Sequence, residues 1–130
     1  MSSSHEALGE LDETLFGQDY SEITYKGQWW LAYEGGRPVG FAGAQIWKPD
    51  NCLYLRRAGV LPEARGKGLQ RRLIRARLAW GREQGARAAY TYTTSWNLAS
   101  ANNLIHEGFT LWKPEWRWAG ADMLYWWRKL

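Results

Sequence analysis

The segment from residue 60 to residue 70 constrains the fold more than any other part of the sequence. It reads Val60-Leu61-Pro62-Glu63-Ala64-Arg65-Gly66-Lys67-Gly68-Leu69-Gln70. It follows an apolar, strand-like run at Cys52–Val60 and precedes a helical pattern at Leu69–Trp80. Two glycines separated by one residue let the backbone turn tightly and come close to a ligand. A strand that passes through such a loop into a helix predicts an α/β fold.

The same loop predicts an anion site. The first N–H groups of the following helix have no partners inside that helix, and the helix dipole is positive there, so phosphate oxygens are favoured. Arg65, Lys67, Arg71 and Arg72 add positive charge. The loop is not a Walker motif, because the Gly-Lys-Ser/Thr ending is missing, and it lacks the third glycine of the dinucleotide fingerprint. A tight turn without a ligand is the alternative interpretation.

Charge is distributed unevenly along the chain. Residues 56–87 hold ten Lys or Arg and two Glu, whereas the rest of the chain holds seven basic and eleven acidic residues. Residues 1–22 hold six acids and no Lys or Arg. A basic segment inside a neutral-to-acidic chain favours a local anionic partner over general coating of nucleic acid. A solvated helix face is the alternative.

The other patterns predict a single domain over residues 1–130, with residues 1–5 frayed. Its expected elements are an acidic amphipathic helix around Leu8–Phe16, strands at Gln28–Tyr33, Pro38–Trp47 and Ala88–Thr94, a helix from an Asn97 cap to Glu107, and strands at Phe109–Trp112 and Met123–Arg128. This order predicts a mixed α/β sheet.

Composition excludes several classes of protein. No apolar run approaches the roughly 20 residues that a membrane-spanning helix needs, and Met1–Gly9 shows no secretory signal. The single cysteine, Cys52, predicts no internal disulfide and no metal site, and it favours a cytoplasmic location. The chain holds ten tryptophans, for which core and hairpin packing is favoured over an aromatic binding surface.

Two segments together resemble the GCN5-related N-acetyltransferase (GNAT) superfamily. Arg65-Gly66-Lys67-Gly68-Leu69-Gln70, after Val60-Leu61-Pro62-Glu63, is similar to the signature Arg/Gln-x-x-Gly-x-Gly/Ala, with Gln70 at the final position. The run from Asn97 to Phe109 is similar to the family's Asn-x-x-Ala/Ser helix and its Gly-Phe turn. The resemblance implies a mixed, mostly antiparallel sheet flanked by helices, with a V-shaped splay between the central strands. It also implies an N-acetyltransferase that uses acetyl coenzyme A (acetyl-CoA).

The resemblance further implies which residues bind the donor. Backbone N–H groups of Gly66, Lys67, Gly68, Leu69 and Gln70 would surround the pyrophosphate, with Arg65 and Arg71 beside them. The pantetheine would lie between Cys52–Val60 and Ala88–Thr94, paired with the backbone of Gly59, Val60 and Leu61 and with Asn97 and Asn103 nearby. A backbone N–H near Val60 would polarise the thioester carbonyl.

The catalytic residues match the family less well. The strand Cys52–Val60 holds no carboxylate, and Glu34 lies in a predicted turn, so no general base is assigned. Leu104 stands where many relatives have a tyrosine that protonates the leaving thiolate. Ser100, one helical turn earlier, is the candidate that hydrogen-bonds the sulfur; helix capping or packing is its alternative role.

The main functional hypothesis is direct acetyl transfer to an amine of a small molecule or protein. The alternatives are a non-catalytic acyl-CoA-binding module and a basic nucleic-acid-binding domain. The sequence does not identify the acceptor, although the acidic N-terminus favours a cationic one, and it leaves open a homodimer.

Overall fold

The computed structural model describes residues 2–16 and 27–130. Met1 and residues 17–26, which include the acids Asp19 and Glu22, lie outside the described residues. The elements in chain order are α1 (Ser2–Phe16), β1 (Gln28–Glu34), β2 (Arg37–Trp47), β3 (Cys52–Val60), a 3-10 turn (Pro62–Ala64), α2 (Leu69–Glu83), β4 (Ala88–Thr94), α3 (Leu98–His106), β5 (Thr110–Trp112) and β6 (Met123–Lys129). Within this part of the chain, no helix is long and apolar enough to span a membrane.

Helix α1 begins earlier than the sequence predicts. It starts at Ser2, within the five residues that the sequence predicts to be frayed, and that fraying stays a prediction. No glycine or proline interrupts the chain between Ser2 and Leu8, so the helix extends back from its apolar stripe. Leu8 and Leu11 on that stripe are buried against Phe41 of β2.

The six strands form one mixed sheet in the order β1-β2-β3-β4-β6-β5. All neighbours pair antiparallel except β3 and β4, which are parallel. Parallel neighbours need a crossover connection, and α2 provides it. Helices α2 and α3 pack on one face of the sheet around Leu53, Leu78 and Leu104, while α1 covers part of the other face. The predicted mostly antiparallel α/β sheet is confirmed.

The central strands separate toward their C-terminal ends. Strands β3 and β4 pair only at Leu53 with Ala89 and at Tyr54 with Tyr90 within the described residues. Just beyond this pairing the register of β2 with β3 shifts, so that Arg56 and Arg57 both lie opposite Gly43. Such a bulge bends and twists the strand that carries the extra residue. The bulge therefore turns β3 away from β4 and opens the predicted splay.

The tryptophans are less buried than the sequence predicts. Of the ten, Trp126 is buried, and its indole N–H donates to Thr93 Oγ1 at 3.0 Å. Trp47, Trp96, Trp112, Trp116 and Trp127 are exposed. The predicted core and hairpin packing describes Trp29, Trp30 and Trp80, which pack against the buried clusters, but not the five exposed tryptophans.

Candidate active site

The glycine loop between β3 and α2 has the backbone conformation that its sequence predicts. Gly66 and Gly68 have φ values of 78° and 80°, a left-handed region that favours glycine. A Cβ atom at either position would meet no other heavy atom within 4 Å, so the loop faces open space. Gly68 is the N-cap of α2, and its carbonyl accepts the first helical bond from the N–H of Arg72 at 3.1 Å. The N–H groups before that bond are available to an anion.

Three of the positive side chains around the loop make polar contacts within the protein. Arg65 Nε donates to the carbonyl of Val60 at 2.9 Å. Lys67 forms an ion pair with Glu34 at 2.9 Å. Arg71 Nε donates to Asn103 Oδ1 at 3.0 Å and so ties α2 to α3. Glu34 is therefore a partner of the loop and does not line the cleft described next.

A cleft of about 280 Å³ lies in the splay, where β3 and β4 separate. The predicted site residues that line it are Gln70 at the start of α2 and Asn97, Ser100 and Asn103 at α3. Leu104 lies in the same wall. The structure thus brings Gln70, the last residue of the loop motif, to one cavity with the α3 motif. The other predicted donor-binding residues do not line it: Gly59, Val60, Leu61, Arg65, Gly66, Lys67, Gly68, Leu69 and Arg71. No Asp or Glu lines this cleft in the described part of the chain.

Backbone groups of β3 point alternately toward β2 and toward the cleft. The N–H of Leu61 donates to the carbonyl of Val39 on the β2 side at 2.8 Å. In an antiparallel ladder both polar groups of a residue point the same way, so Gly59 also faces β2, whereas Ala58 and Val60 face the splay. The strand register thus turns Gly59 and Leu61 toward β2, and the use of their backbone groups by the pantetheine stays a prediction. Ala58, which the sequence does not single out, is the residue whose backbone faces the splay.

Asn97 and Ser100 together begin helix α3. Asn97 Oδ1 accepts from the backbone N–H of Ser100 at 3.1 Å, which confirms the predicted cap. The Ser100 hydroxyl takes no part in this bond, and its half-buried side chain lines the cleft one turn from Leu104. Cys52 does not line the cleft, and burial raises the pKa of its thiol, so it stays protonated.

A comparison with known families identifies the chain. The model of the acetyltransferase (GNAT) family matches residues 3–109. This chain belongs to the GNAT family. It is an acetyl-CoA-dependent N-acetyltransferase, as its loop and cleft indicate. No curated protein sequence matches it significantly.

Solved structures share the fold. A GNAT-family acetyltransferase from Staphylococcus aureus is 18% identical, with a TM-score of 0.79 over 98% of this chain and 93% of that one. The ribosomal-protein-S18-alanine N-acetyltransferase of Escherichia coli is 15% identical, with a TM-score of 0.75 over 99% and 89%. A candidate streptothricin acetyltransferase from Bacillus anthracis, solved with acetyl coenzyme A, is 19% identical, with a TM-score of 0.72 over 85% and 70%.

A buried arginine supports the cleft of this GNAT domain. Arg77 of α2 is only 3% exposed, and burial lowers the pKa of its guanidinium to about 9. Its Nε donates to Leu73 O at 3.1 Å, and its Nη1 lies 3.4 Å from the carbonyls of Gly43 and Arg56. Arg77 thus ties α2 to both strands at the bulge. Sequence reasoning missed it, because an arginine in a basic helix resembles its exposed neighbours.

Proposed function

We propose that this enzyme transfers the acetyl group directly from acetyl-CoA to an amine at the bulge of β3, without an acyl-enzyme intermediate. The observation that carries the proposal is the cleft, which continues from the start of α2 to the bulge between the unpaired halves of β3 and β4. Open glycines at a helix N-terminus suit a pyrophosphate. The backbone of Ala58 and the N–H of Val60 suit the amides of a pantetheine chain, which would pair with them as an added strand, while the Val60 carbonyl accepts from Arg65.

Acetyl-CoA supplies a thioester whose acetyl carbon is attacked by the amine nitrogen. The new C–N bond forms, the C–S bond breaks, the amine loses one proton and the sulfur gains one. A backbone N–H of Ala58 or Val60 donates to the carbonyl oxygen as negative charge develops there. The Ser100 hydroxyl hydrogen-bonds the departing sulfur as negative charge develops there, and the proton that the sulfur gains comes from water or from the amine.

The surroundings of the cleft disfavour other mechanisms. Cys52 is buried with a raised pKa and is therefore a poor acyl carrier. Asp12, the buried acid of α1, forms an ion pair with Arg57 at 2.7 Å and is not placed to act as a free base. The acceptor amine then gives its proton to water, so the rate rises with pH until the amine is neutral. We place this reaction in the reducing cytoplasm, where the thiol of Cys52 persists.

The proposal is tested by steady-state kinetics with a panel of amines and detection of the released coenzyme A thiol. We expect amine-dependent release and intersecting initial-velocity plots, because both substrates must be bound before transfer. Parallel plots would instead indicate an acyl-enzyme. Coenzyme A binding without amine-dependent release would contradict the proposed reaction and leave only a binding module.

A further inference from the structure

A second cavity, which we call the aromatic groove, lies mainly on the face of the sheet opposite α2. Its volume is about 1070 Å³. Its aromatic lining includes Trp47, Tyr90, Trp112, Trp116, Trp118 and Trp127. Side chains alternate along a strand, so Tyr54 of β3 also faces the groove, while Leu53 and Leu55 pack in the core with α2.

The floor of the aromatic groove is fixed by packing and hydrogen bonds. Trp118, in the segment between β5 and β6, packs against Tyr125 with ring centroids 4.7 Å apart and against Tyr90 at 5.5 Å. The Tyr125 hydroxyl accepts from the N–H of Ala119 at 3.0 Å and donates to the carbonyl of Gly120 at 2.7 Å. The floor is therefore organised before any ligand binds.

The walls of the aromatic groove expose large apolar rings to solvent. Trp116 is 76% exposed, Trp47 48%, Trp127 39% and Trp112 36%. Several exposed apolar side chains around one concavity mark a binding site more often than single exposed residues do. Indole faces favour a flat ring, because stacked or edge-to-face aromatic pairs gain energy beyond the burial of area.

The aromatic groove and the cleft meet at the bulge. Tyr54 and Arg56 line both cavities, and Arg56 is one of the two bulged residues of β3. A molecule whose body lies in the groove can therefore place one end where the splay begins. That end is the position at which the acceptor amine must meet the acetyl group.

We propose that the acceptor is a primary amine that carries an aromatic ring, which stacks in the aromatic groove while the amine reaches the bulge. This inference rests on the proposed function. The groove is also lined by Arg56, Arg87 and Lys113 against Asp50 and Glu115, so it has no excess of negative charge. Such a lining disfavours polyamines and lysine-rich peptides and leaves ring stacking as the basis of selection.

The test compares 2-phenylethylamine and tryptamine with butylamine, spermidine and a lysine peptide as acceptors for the full chain. We expect kcat/KM to be at least about tenfold higher for the aromatic amines, as ring packing of this kind allows. Trp116→Ala should remove most of this preference. The matched control is Trp96→Ala, because Trp96 is 74% exposed but lines neither cavity. The control should keep the preference.

Equal rates for butylamine and 2-phenylethylamine, or equal losses in the two tryptophan variants, would overturn the inference while leaving the proposed function intact. Preference for spermidine or the lysine peptide would overturn it too. If no amine is acetylated, the proposed function fails. Calorimetry of 2-phenylethylamine with the coenzyme A complex then tests separately whether the aromatic groove binds an aromatic amine. Binding that Trp116→Ala weakens and Trp96→Ala does not would support an aromatic-amine site, and no binding would refute it.

Discussion

Two glycines, one at each end of α2, have the same backbone conformation, but only one of them lies at the candidate active site. Gly68, at the start, has φ 80° and Gly85, just past the end, has φ 81°, and a Cβ at either would meet no other heavy atom within 4 Å. A valine at either position is strained, because β-branched residues avoid positive φ. Only Gly68 lies at the loop that we expect to hold the pyrophosphate.

We therefore predict that Gly68→Val and Gly85→Val lose similar stability, whereas only Gly68→Val loses affinity for coenzyme A. The expected loss is at least about tenfold in Kd, or about 1.4 kcal/mol. Isothermal calorimetry measures the affinity and thermal unfolding the stability. Unchanged affinity of folded Gly68→Val for coenzyme A would show that the loop does not bind the pyrophosphate.

At Ser100, an effect on the reaction can be measured separately from an effect on the structure of α3. The cap bond uses the backbone N–H of Ser100, so Ser100→Ala keeps it, and alanine favours a helix interior. If the hydroxyl stabilises the leaving sulfur by a hydrogen bond, kcat should fall about 10- to 100-fold with little change in coenzyme A affinity. Ser95→Ala, in the turn before α3 and outside the cleft, is the control. A kcat of Ser100→Ala within about twofold of wild type would show that Ser100 has only a structural role.

At the scale of elements, the β3 bulge depends on a contact from α2. Arg77→Met keeps an unbranched apolar stem but removes the donors that reach Gly43 and Arg56. We expect the KM for acetyl-CoA to rise about tenfold with a small change in stability, because loss of a desolvated charge offsets the lost hydrogen bonds. Arg77→Lys should recover part of the affinity, and Arg82→Met, an exposed change in the last turn of the same helix, should have no effect. Equal KM values for the two methionine variants would refute a positioning role.

An ion pair joins α2 to the end of α3. Arg75 Nε and Nη2 donate to the two carboxylate oxygens of Glu107 at 2.9 and 3.0 Å, and the Glu107 side chain is only 7% exposed. These bonds lower the pKa of Glu107 below its usual value of 4.5. A carboxylate whose pKa is lower in the folded state stabilises the fold above its unfolded pKa, and this contribution is lost as pH falls through the folded value.

We predict that Glu107→Gln lowers the free energy of unfolding at neutral pH and flattens its decline below about pH 5. Denaturant titrations from about pH 7 to pH 3 measure both effects. Glu83→Gln, an exposed change at the end of α2, should give a curve parallel to that of the wild type. If the Glu107→Gln curve is also parallel to the wild type, the ion pair does not contribute to acid sensitivity.

For the whole molecule, the donor should bind across the loop, β3, β4 and α3 together. Coenzyme A should therefore raise Tm more than ATP, which lacks the pantetheine. At about 100 times Kd the expected stabilisation is about 2.7 kcal/mol, and it should grow with ligand concentration. Equal shifts with ATP and coenzyme A in differential scanning fluorimetry would show that the splay adds nothing to binding.

The sequence alone determined features that depend on residues close together in the chain. Gly66 and Gly68 predicted a tight turn beside a helix N-terminus, and Asn97 predicted the cap of α3, because these conformations are set within a few residues. The resemblance to the GNAT family then implied the mostly antiparallel sheet and the splay. Gln70, Ser100 and Asn103, which the sequence singles out, line the cleft, and their roles there stay predictions.

Tertiary structure alone decided which backbone groups face the cleft and which side chains are buried. The bulge at Arg56 and Arg57 exists only because β3 pairs with β2 in that register, so the choice of Ala58 over Gly59 and Leu61 was not visible locally. Arg77 is buried because β2 and β3 lie beneath it. The aromatic groove assembles rings from β2, β3, β4 and the β5–β6 hairpin, far apart in the chain. Contacts between distant segments depend on how the strands align, and no local sequence pattern specifies that alignment.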